Sequence, residues 1–250
     1  MGFEIAGRTA LVTGANRGIG RAIVEALLER GAARVWAGTR RPDALADLRA
    51  AHPGRVELLS LDVTRDEDVR TAAARARDVS LLVNNAGVAL QLGAPLTDAS
   101  WLRAGREELD VNVFGTLAVS QAMAPVLAAN GGGTLVNIIS VAGLVSFPVL
   151  LSYSASKAAL HSLTQGLRAG LKGQGTRVVA VYPGPVDTDM AARLPLPLQK
   201  TPAPEVARAI LDGLAAGAED IFPDPMAKQL GEAFLKSPKA LEQQLAAPAA

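Results

Sequence analysis

Cysteine is absent from the 250 residues. That excludes disulfides, thiolate metal sites and thiol catalysis. Histidine is nearly absent. His52 and His161 stand far apart and form no ligand motif, so each reads as a surface or helix residue and no metal site is expected. Aromatic residues make up only 4% of the chain, against a hydrophobic share of 49%. Such a core must be built from Ala, Val, Leu and Ile, which suits helices packed closely on a parallel sheet. Excess charge is lacking too: 25 Lys and Arg face 24 Asp and Glu, a formal net charge of +1. There is no electrostatic case for nucleic acid or an anionic membrane surface as a partner. No basic-then-apolar leader pattern opens the chain, and no run of about 18 apolar residues suggests a membrane span. A cytoplasmic location is the expectation that remains. The length allows one large domain or two small ones. With no internal repeat, low-complexity linker or composition break, residues 1–250 read as a single domain.

What is present centres on residues 140–160. Tyr153 and Lys157 stand four apart at the start of a predicted helix whose Leu160, Leu163, Leu167 and Leu171 recur at helical spacing. Residues four apart share a helix face, so phenol and ammonium are neighbours. The pair extends the leucine stripe, and a lysine on such a face loses hydration and needs a partner. A neighbouring cation favours the phenolate, so Tyr153 is expected to titrate below its ordinary range. A tyrosine tuned that way exchanges a proton with a substrate oxygen near neutral pH. Ser140 ends an apolar run, Thr134 to Ile139, that reads as a buried strand, and its hydroxyl is placed to bond the same oxygen. Taken alone, a Tyr and a Lys four apart are as readily an ordinary helical pair; the rest of the chain decides.

Thr9–Thr13 reads as the first strand. Gly14-Ala-Asn16-Arg17-Gly18-Ile19-Gly20 follows, and then Ala22, Ile23, Ala26 and Leu27 at helical spacing. A Gly-rich turn between strand and helix aims backbone N–H groups at a phosphate. The spacing here is G-x-x-x-G-x-G, which is not the usual G-x-G-x-x-G fingerprint. The second strand, Arg34–Thr39, ends in Arg40-Arg41 where an NAD site usually carries an acid for the ribose hydroxyl. Arginine there suits the 2′-phosphate of NADP, with Arg17 as a second clamp. A third strand closes on Asp62-Val63, and a fourth, Leu81–Asn84, opens onto Asn85-Ala86-Gly87. Residues 98–129 are expected to be mostly helical, with Asn112 among apolar neighbours as a structural pin or part of a polar relay. Arg177–Val181 and Asp220–Phe222 complete about seven strands. The tail from 226 is read as helical, fraying into Ala and Pro. Alternating strands and helices predict an α/β, Rossmann-like doubly wound parallel sheet with helices on both faces. Gly14, Arg40, Asp62, Asn84, Ser140 and Pro183-Gly184 all follow strand C-terminal ends, the edge where such sheets bind ligands.

The ordered set Thr13–Gly20, Asp62-Val63, Asn84–Gly87, Asn112, Ser140, Tyr153-x-x-x-Lys157 and Pro183-Gly184-Pro185-Val186-Asp187-Thr188 resembles the short-chain dehydrogenase/reductase family over nearly the whole chain. The resemblance implies Tyr153 as general acid or base, Lys157 as its partner and a ligand of the nicotinamide ribose, and Ser140 on the substrate oxygen. It implies Asn112 in a water-linked relay to Lys157. It assigns Gly14, Asn16, Arg17, Gly18, Ile19 and Gly20 to the pyrophosphate and adenosine ribose, and Asp62 and Val63 to the adenine. Asn85, Ala86 and Gly87 fall on the adenosine side, and Pro183, Gly184, Val186 and Thr188 at the nicotinamide. NADP(H) is the cofactor implied, with NAD(H) second. The expected activity is a carbonyl reductase acting on a small ketone or alcohol. Val141, Leu144, Val145, Phe147, Leu90, Leu92, Met190 and Leu194 form an apolar pocket in this reading, and 188–204 a mobile substrate loop. By the same resemblance, helices near 112–129 and 152–172 form a homodimer interface, usually within a tetramer. Two alternatives rank lower. A 3-oxoacyl-carrier-protein reductase is disfavoured because Val145–Ser152 lacks the expected Gly-x-x-Gly-Gln style. A non-catalytic NADP-sensing protein would be expected to have lost Ser140, Tyr153 or Lys157. A halide-releasing relative would be expected to carry arginine at 157.

Overall fold

The structure is a computed structural model and describes residues 2–194 and 198–246. Its frame is a seven-stranded sheet in the order β3-β2-β1-β4-β5-β6-β9, every pairing parallel. The strands are β1 Thr9–Thr13, β2 Arg34–Thr39, β3 Val56–Ser60, β4 Leu81–Asn84, β5 Thr134–Ile138, β6 Arg177–Val181 and the edge strand β9 Asp220–Ile221. The central strands β1, β4 and β5 are buried at every position, as continuous apolar runs covered on both faces must be. Strand order reverses at β1, whose neighbours are β2 on one side and β4 on the other, so a crevice opens beyond the carboxyl ends of β1 and β4.

Helices α1 Gly18–Glu29, α2 Ala46–Ala51 and α8 Ala203–Ala216 cover one face. Ile23, Leu27, Leu45, Ile210 and Leu211 join Val12, Val83 and Val136 there. Helices α3 Asp66–Arg75, α5 Thr116–Ala129 and α6 Leu151–Leu171 cover the other, where Val69, Met123 and Leu127 meet Leu11, Leu82 and Leu135. A third cluster joins α6 to α9 Pro225–Lys236 and α10 Pro238–Ala246 beyond β5 and β6. Helix α4, Ser100–Leu109, runs through a π-helical turn, Asp110–Gly115, into α5. The combined run Ser100–Ala129 is long and apolar enough to cross a membrane by length and composition. Here it packs against α6 and β4, and Val119, Met123 and Leu127 lie in the core.

The loop after β6 holds structure the sequence reading left out: a two-strand pairing of β7 Val186–Asp187 with β8 Thr201–Pro202, and a one-turn α7 Asp189–Ala192 between them. These pieces are too short for any periodicity to register. Residues 195–197 of the expected mobile loop 188–204, and 247–250 of the expected frayed end, lie outside the described residues.

Candidate active site

A cleft of about 530 Å³ lies along the carboxyl ends of the strands. At one end is the Gly-rich turn. Gly14 has φ +63°, and a Cβ there would sit 2.9 Å from the Ala86 Cα; a Cβ on Gly20 would overlap the Gly14 carbonyl and the Asn85 amide. The turn therefore lies flat against the β4 loop only as glycine. Two residues lock that contact. Thr13 Oγ1 accepts from the Asn85 and Ala86 N–H groups at 3.0 Å, and Asn85 Nδ2 donates to the Thr13 and Gly14 carbonyls at 3.0 and 3.1 Å. No side chain caps the start of α1, which leaves its first N–H groups facing the cleft, an arrangement suited to an anion. Asn16 accepts from Thr39 Oγ1 at 3.0 Å and so ties the turn to the end of β2.

Arg40 is exposed at that end, on the cleft wall near Asp62. Burial pushes the Asp62 carboxyl up, but bonds from the Thr64 hydroxyl and N–H and the charges of Arg40 and Arg65 hold it below the usual range. Arg17 lines the same cleft as Arg40. It reaches across the mouth of the cleft to Asp189 in α7, Nη1 to Oδ2 at 2.9 Å, with both side chains largely exposed. Gly18, Ile19, Val63, Ala86 and Gly87 line the same stretch, whereas Gly20 is packed behind it.

At the other end Ser140, Tyr153 and Lys157 come together on the cleft wall. Ser140 Oγ accepts from the Ala142 N–H at 3.1 Å and caps a short turn, Val141–Gly143. That turn rests on α6 so closely that a Cβ on Gly143 would lie 2.7 Å from the Lys157 carbonyl. Gly143 thus sets how near Ser140 approaches the helix bearing Tyr153. Lys157 is only 4% exposed, and its Nζ donates to the Ile138 carbonyl at 3.0 Å, the partner its burial requires.

The expected lowering of the Tyr153 pKa is overturned. Burial pushes the phenol up to about 12; the Ser140 hydroxyl favours the phenolate, and the negative charge of Glu108 opposes it. Burial also brings the Lys157 ammonium down to about 8. A neighbouring cation favours the phenolate, but the loss of water around the phenol is the larger effect here. The ammonium bonds a backbone carbonyl and lies 5.7 Å from the centroid of the tyrosine ring.

Asn112 is fully buried behind the wall, in the π-helical turn. Its Oδ1 accepts from the Val88 N–H at 2.8 Å, and its Nδ2 donates to the Val88 carbonyl and Ser156 Oγ at 2.9 Å. Its carbonyl accepts from Thr116 Oγ1. Beneath the cleft floor Asn84 Nδ2 donates to Asn137 Oδ1 and Ser120 Oγ at 3.0 Å, and Asn137 Nδ2 to Thr164 Oγ1 at 2.9 Å.

Pro183, Gly184, Val186 and Thr188 line the remaining side. Three residues that support the site were missed from sequence. Asp224 is 2% exposed: one oxygen caps α9 at the Ala227 N–H, 2.9 Å, and the other accepts from the Gly184 N–H at 2.7 Å. An Asp followed by Pro at a helix start is the cap signature that could have found it. Arg193, just after α7, donates to the Ala89 and Leu90 carbonyls at 3.1 Å. Glu108, fully buried in α4, had no sequence signal beyond being a charge on an apolar face. Of the expected pocket residues, Leu92, Val141, Phe147, Met190 and Leu194 line the cleft. Leu144 and Val145 turn into the third core cluster instead, and Leu90 is not on the wall. Ala89, Val149, Leu150 and Met226 add apolar wall that was not foreseen.

A doubly wound sheet whose strand ends carry a Gly-rich anion cradle and a Ser-Tyr-Lys cluster defines a nucleotide-linked dehydrogenase class, and sequence comparison agrees. Residues 8–197 match the family described as short chain dehydrogenase, and the chain belongs to that family as an enzyme of the dehydrogenase/reductase class. An "uncharacterized oxidoreductase" of Myxococcus xanthus is 38% identical over 201 residues, 78% of each chain. Among solved structures, a short chain dehydrogenase from Burkholderia cenocepacia in complex with NADP is 40% identical. It superposes with a TM-score of 0.90 over 98% of this chain and 100% of that one. A short-chain dehydrogenase/reductase from Burkholderia phymatum in complex with NAD is 26% identical, with a TM-score of 0.83 over 99% of both.

Proposed function

We propose that the chain is an NADPH-dependent reductase that interconverts a ketone or aldehyde and its alcohol on a small apolar molecule. The observation that carries this reading is a single cleft with Ser140, Tyr153 and Lys157 at one end and the Gly-rich turn and Arg40 at the other. The cradle fits a dinucleotide: Gly14 and Gly20 leave no room for a Cβ, and the uncapped start of α1 offers N–H groups to a pyrophosphate. Arg40, with Arg17 released from Asp189, supplies positive charge for a 2′-phosphate. The NADP held by the Burkholderia cenocepacia relative supports that choice. When bound, the cofactor supplies the hydride.

The protein's own residues supply placement and a proton. Ser140 and Tyr153 donate to the carbonyl oxygen as negative charge develops on it. A phenol held up near 12 stays protonated at neutral pH and is ready to donate. Lys157, down near 8, is still cationic at pH 7 and favours the phenolate left behind. Ala89, Leu92, Phe147, Val149, Met190 and Met226 line the space around these groups, which supports an apolar substrate. We place the enzyme in the cytoplasm as a homo-oligomer. Leu102, Phe114 and Leu151 are exposed along α4, the π-helical turn and the start of α6 and support the latter.

Oxidation of NADPH and NADH in parallel, over a panel of aryl and aliphatic ketones, tests the reading. Turnover with NADPH well above NADH is expected, and Tyr153→Phe is expected to bind NADPH while losing most turnover. Near-normal turnover in that variant would rule out Tyr153 as the proton donor.

A further inference from the structure

One ionisable side chain buried beside the site has no part in the mechanism above. Glu108 is fully buried in α4. Its Oε1 accepts from the Leu90 N–H at 2.7 Å, and its Oε2 is buried with no hydrogen-bond partner among the described residues. A buried carboxylate oxygen left unpaired is costly, and a fold that keeps one needs a reason. Two neighbours bear on it. Helix α4 packs on α6 so closely that a Cβ on Gly105 would sit 3.3 Å from the Ser152 Cβ. Ser152 immediately precedes Tyr153, and its hydroxyl is also buried without a partner. Glu108 thus lies behind the face of α6 that carries the phenol. It stands one turn before Asn112, and the two hold backbone groups two residues apart in the strip 88–90, Asn112 at Val88 and Glu108 at Leu90.

We propose that Glu108 is a positioning residue with two functions: through Oε1 it fixes the 88–90 strip beside the cleft, and through the unpartnered Oε2 it holds a negative charge behind the stretch of α6 that carries Tyr153. The proposal rests on Tyr153 being the proton donor of the reaction. Other groups around Tyr153 are few. On α6 itself Lys157 acts with opposite sign. Ser140 contributes a neutral hydroxyl, and the turn 141–143 carries no charge. Arg103, Arg106, Glu107 and Asp110 on the same helical run are exposed to solvent. Arg193 is engaged with the Ala89 and Leu90 carbonyls, and Asp189 with Arg17. Removing the Glu108 charge therefore leaves Lys157 as the one buried charge beside the phenol among the described residues.

The chain has only two tyrosines, Tyr153 and Tyr182, so one background substitution makes the phenol directly observable. In full-length protein carrying Tyr182→Phe, ring-fluorinated tyrosine is incorporated, whose more acidic phenol brings the titration into the range of native folding. Fluorine NMR then reads the ionisation of Tyr153 against pH, with circular dichroism as the check on folding. Glu108→Gln keeps an acceptor for Leu90 and removes the charge, and is expected to lower the Tyr153 midpoint by about one pH unit. Glu108→Leu removes both, and is expected to lower it similarly and also raise the KM for ketone as the 88–90 strip loosens. An unchanged midpoint in folded Glu108→Gln would overturn the proposal, and so would a shift upward. Because the overall equilibrium fixes the ratio of forward to reverse efficiency at a given pH, the variant must move the pH profiles of reduction and oxidation together. The ionisation is read without turnover, so a failed assay with every ketone would count against the proposed reaction and leave the electrostatic result standing.

Discussion

Asp224→Ala and Asp224→Asn together test whether the start of α9 holds the site in place. Asp224 uses both oxygens, one to cap α9 and one to accept from the Gly184 N–H, and is 2% exposed. Alanine removes the cap, which costs about 1 kcal/mol. It also strands the Gly184 N–H away from water, which costs about 1–3 kcal/mol. The sum is about 2–4 kcal/mol, or a fall in melting temperature of about 5–15 °C for a chain of this length. Asparagine separates the two contributions. Its carbonyl can still cap α9, but its amide then faces the Gly184 N–H donor to donor. This variant is expected to melt a few degrees above Asp224→Ala, by what the cap is worth, while binding NADPH several-fold more weakly because Pro183-Gly184 is no longer fixed. Thermal melts and cofactor fluorescence titrations on the purified variants give both numbers. An Asp224→Ala protein melting within about 2 °C of the parent would refute the reasoning. An Asp224→Asn protein with unchanged NADPH affinity would refute the link between α9 and the cleft.

Three further outcomes follow from the same structure. Arg40→Ala and Arg17→Ala are each expected to weaken NADPH about tenfold, the scale of one charge-assisted bond, and to leave NADH unchanged in parallel titrations; equal loss for both nucleotides would remove the 2′-phosphate clamp. Lys157 titrates near 8 in the fold against 10.5 for a free lysine. Between those values the unfolded chain binds more protons, so the lysine's contribution makes stability rise with pH by about 2–3 kcal/mol from pH 8 to 10. Tyr153, held up near 12, opposes this only above pH 10. Denaturant melts of the parent minus Lys157→Met should show that slope, and a flat difference would contradict the burial argument. Phe114→Glu, at a side chain 59% exposed, is expected to shift the particle mass by light scattering to that of a monomer. An unchanged mass would move the interface elsewhere.

The sequence made the sheet legible because its strands are fully buried runs punctuated by glycine and polar residues at one end. Ser140, Tyr153 and Lys157 were legible for the same reason: each sits at a fixed offset from a strand or helix start. What escaped was of two kinds. Effects that depend on burial depth, such as the raised Tyr153 phenol, have no local signature, because desolvation is a sum over distant neighbours. Long-range partners escaped as well. Asp224 reaches Gly184 across 40 residues, and Arg193 reaches Ala89 across 104. The pairing of Arg17 with Asp189 escaped too, because the loop that carries Asp189 has a one-turn helix and two-residue strands too short to leave a pattern.

The buried Asn84–Asn137 bond joins residues that stand opposite each other at the end of β4 and the penultimate position of β5. Ser140 follows only three residues later. If β5 slid by one residue against β4, the Asn137 amide would turn to the other face of the sheet and away from Asn84, and the serine would move by about 3.3 Å, further than a hydrogen bond tolerates. The pair works as a gauge mark beneath the cleft: a chain that closes the sheet with these two amides matched has, by the same act, set where Ser140 stands on the cleft wall.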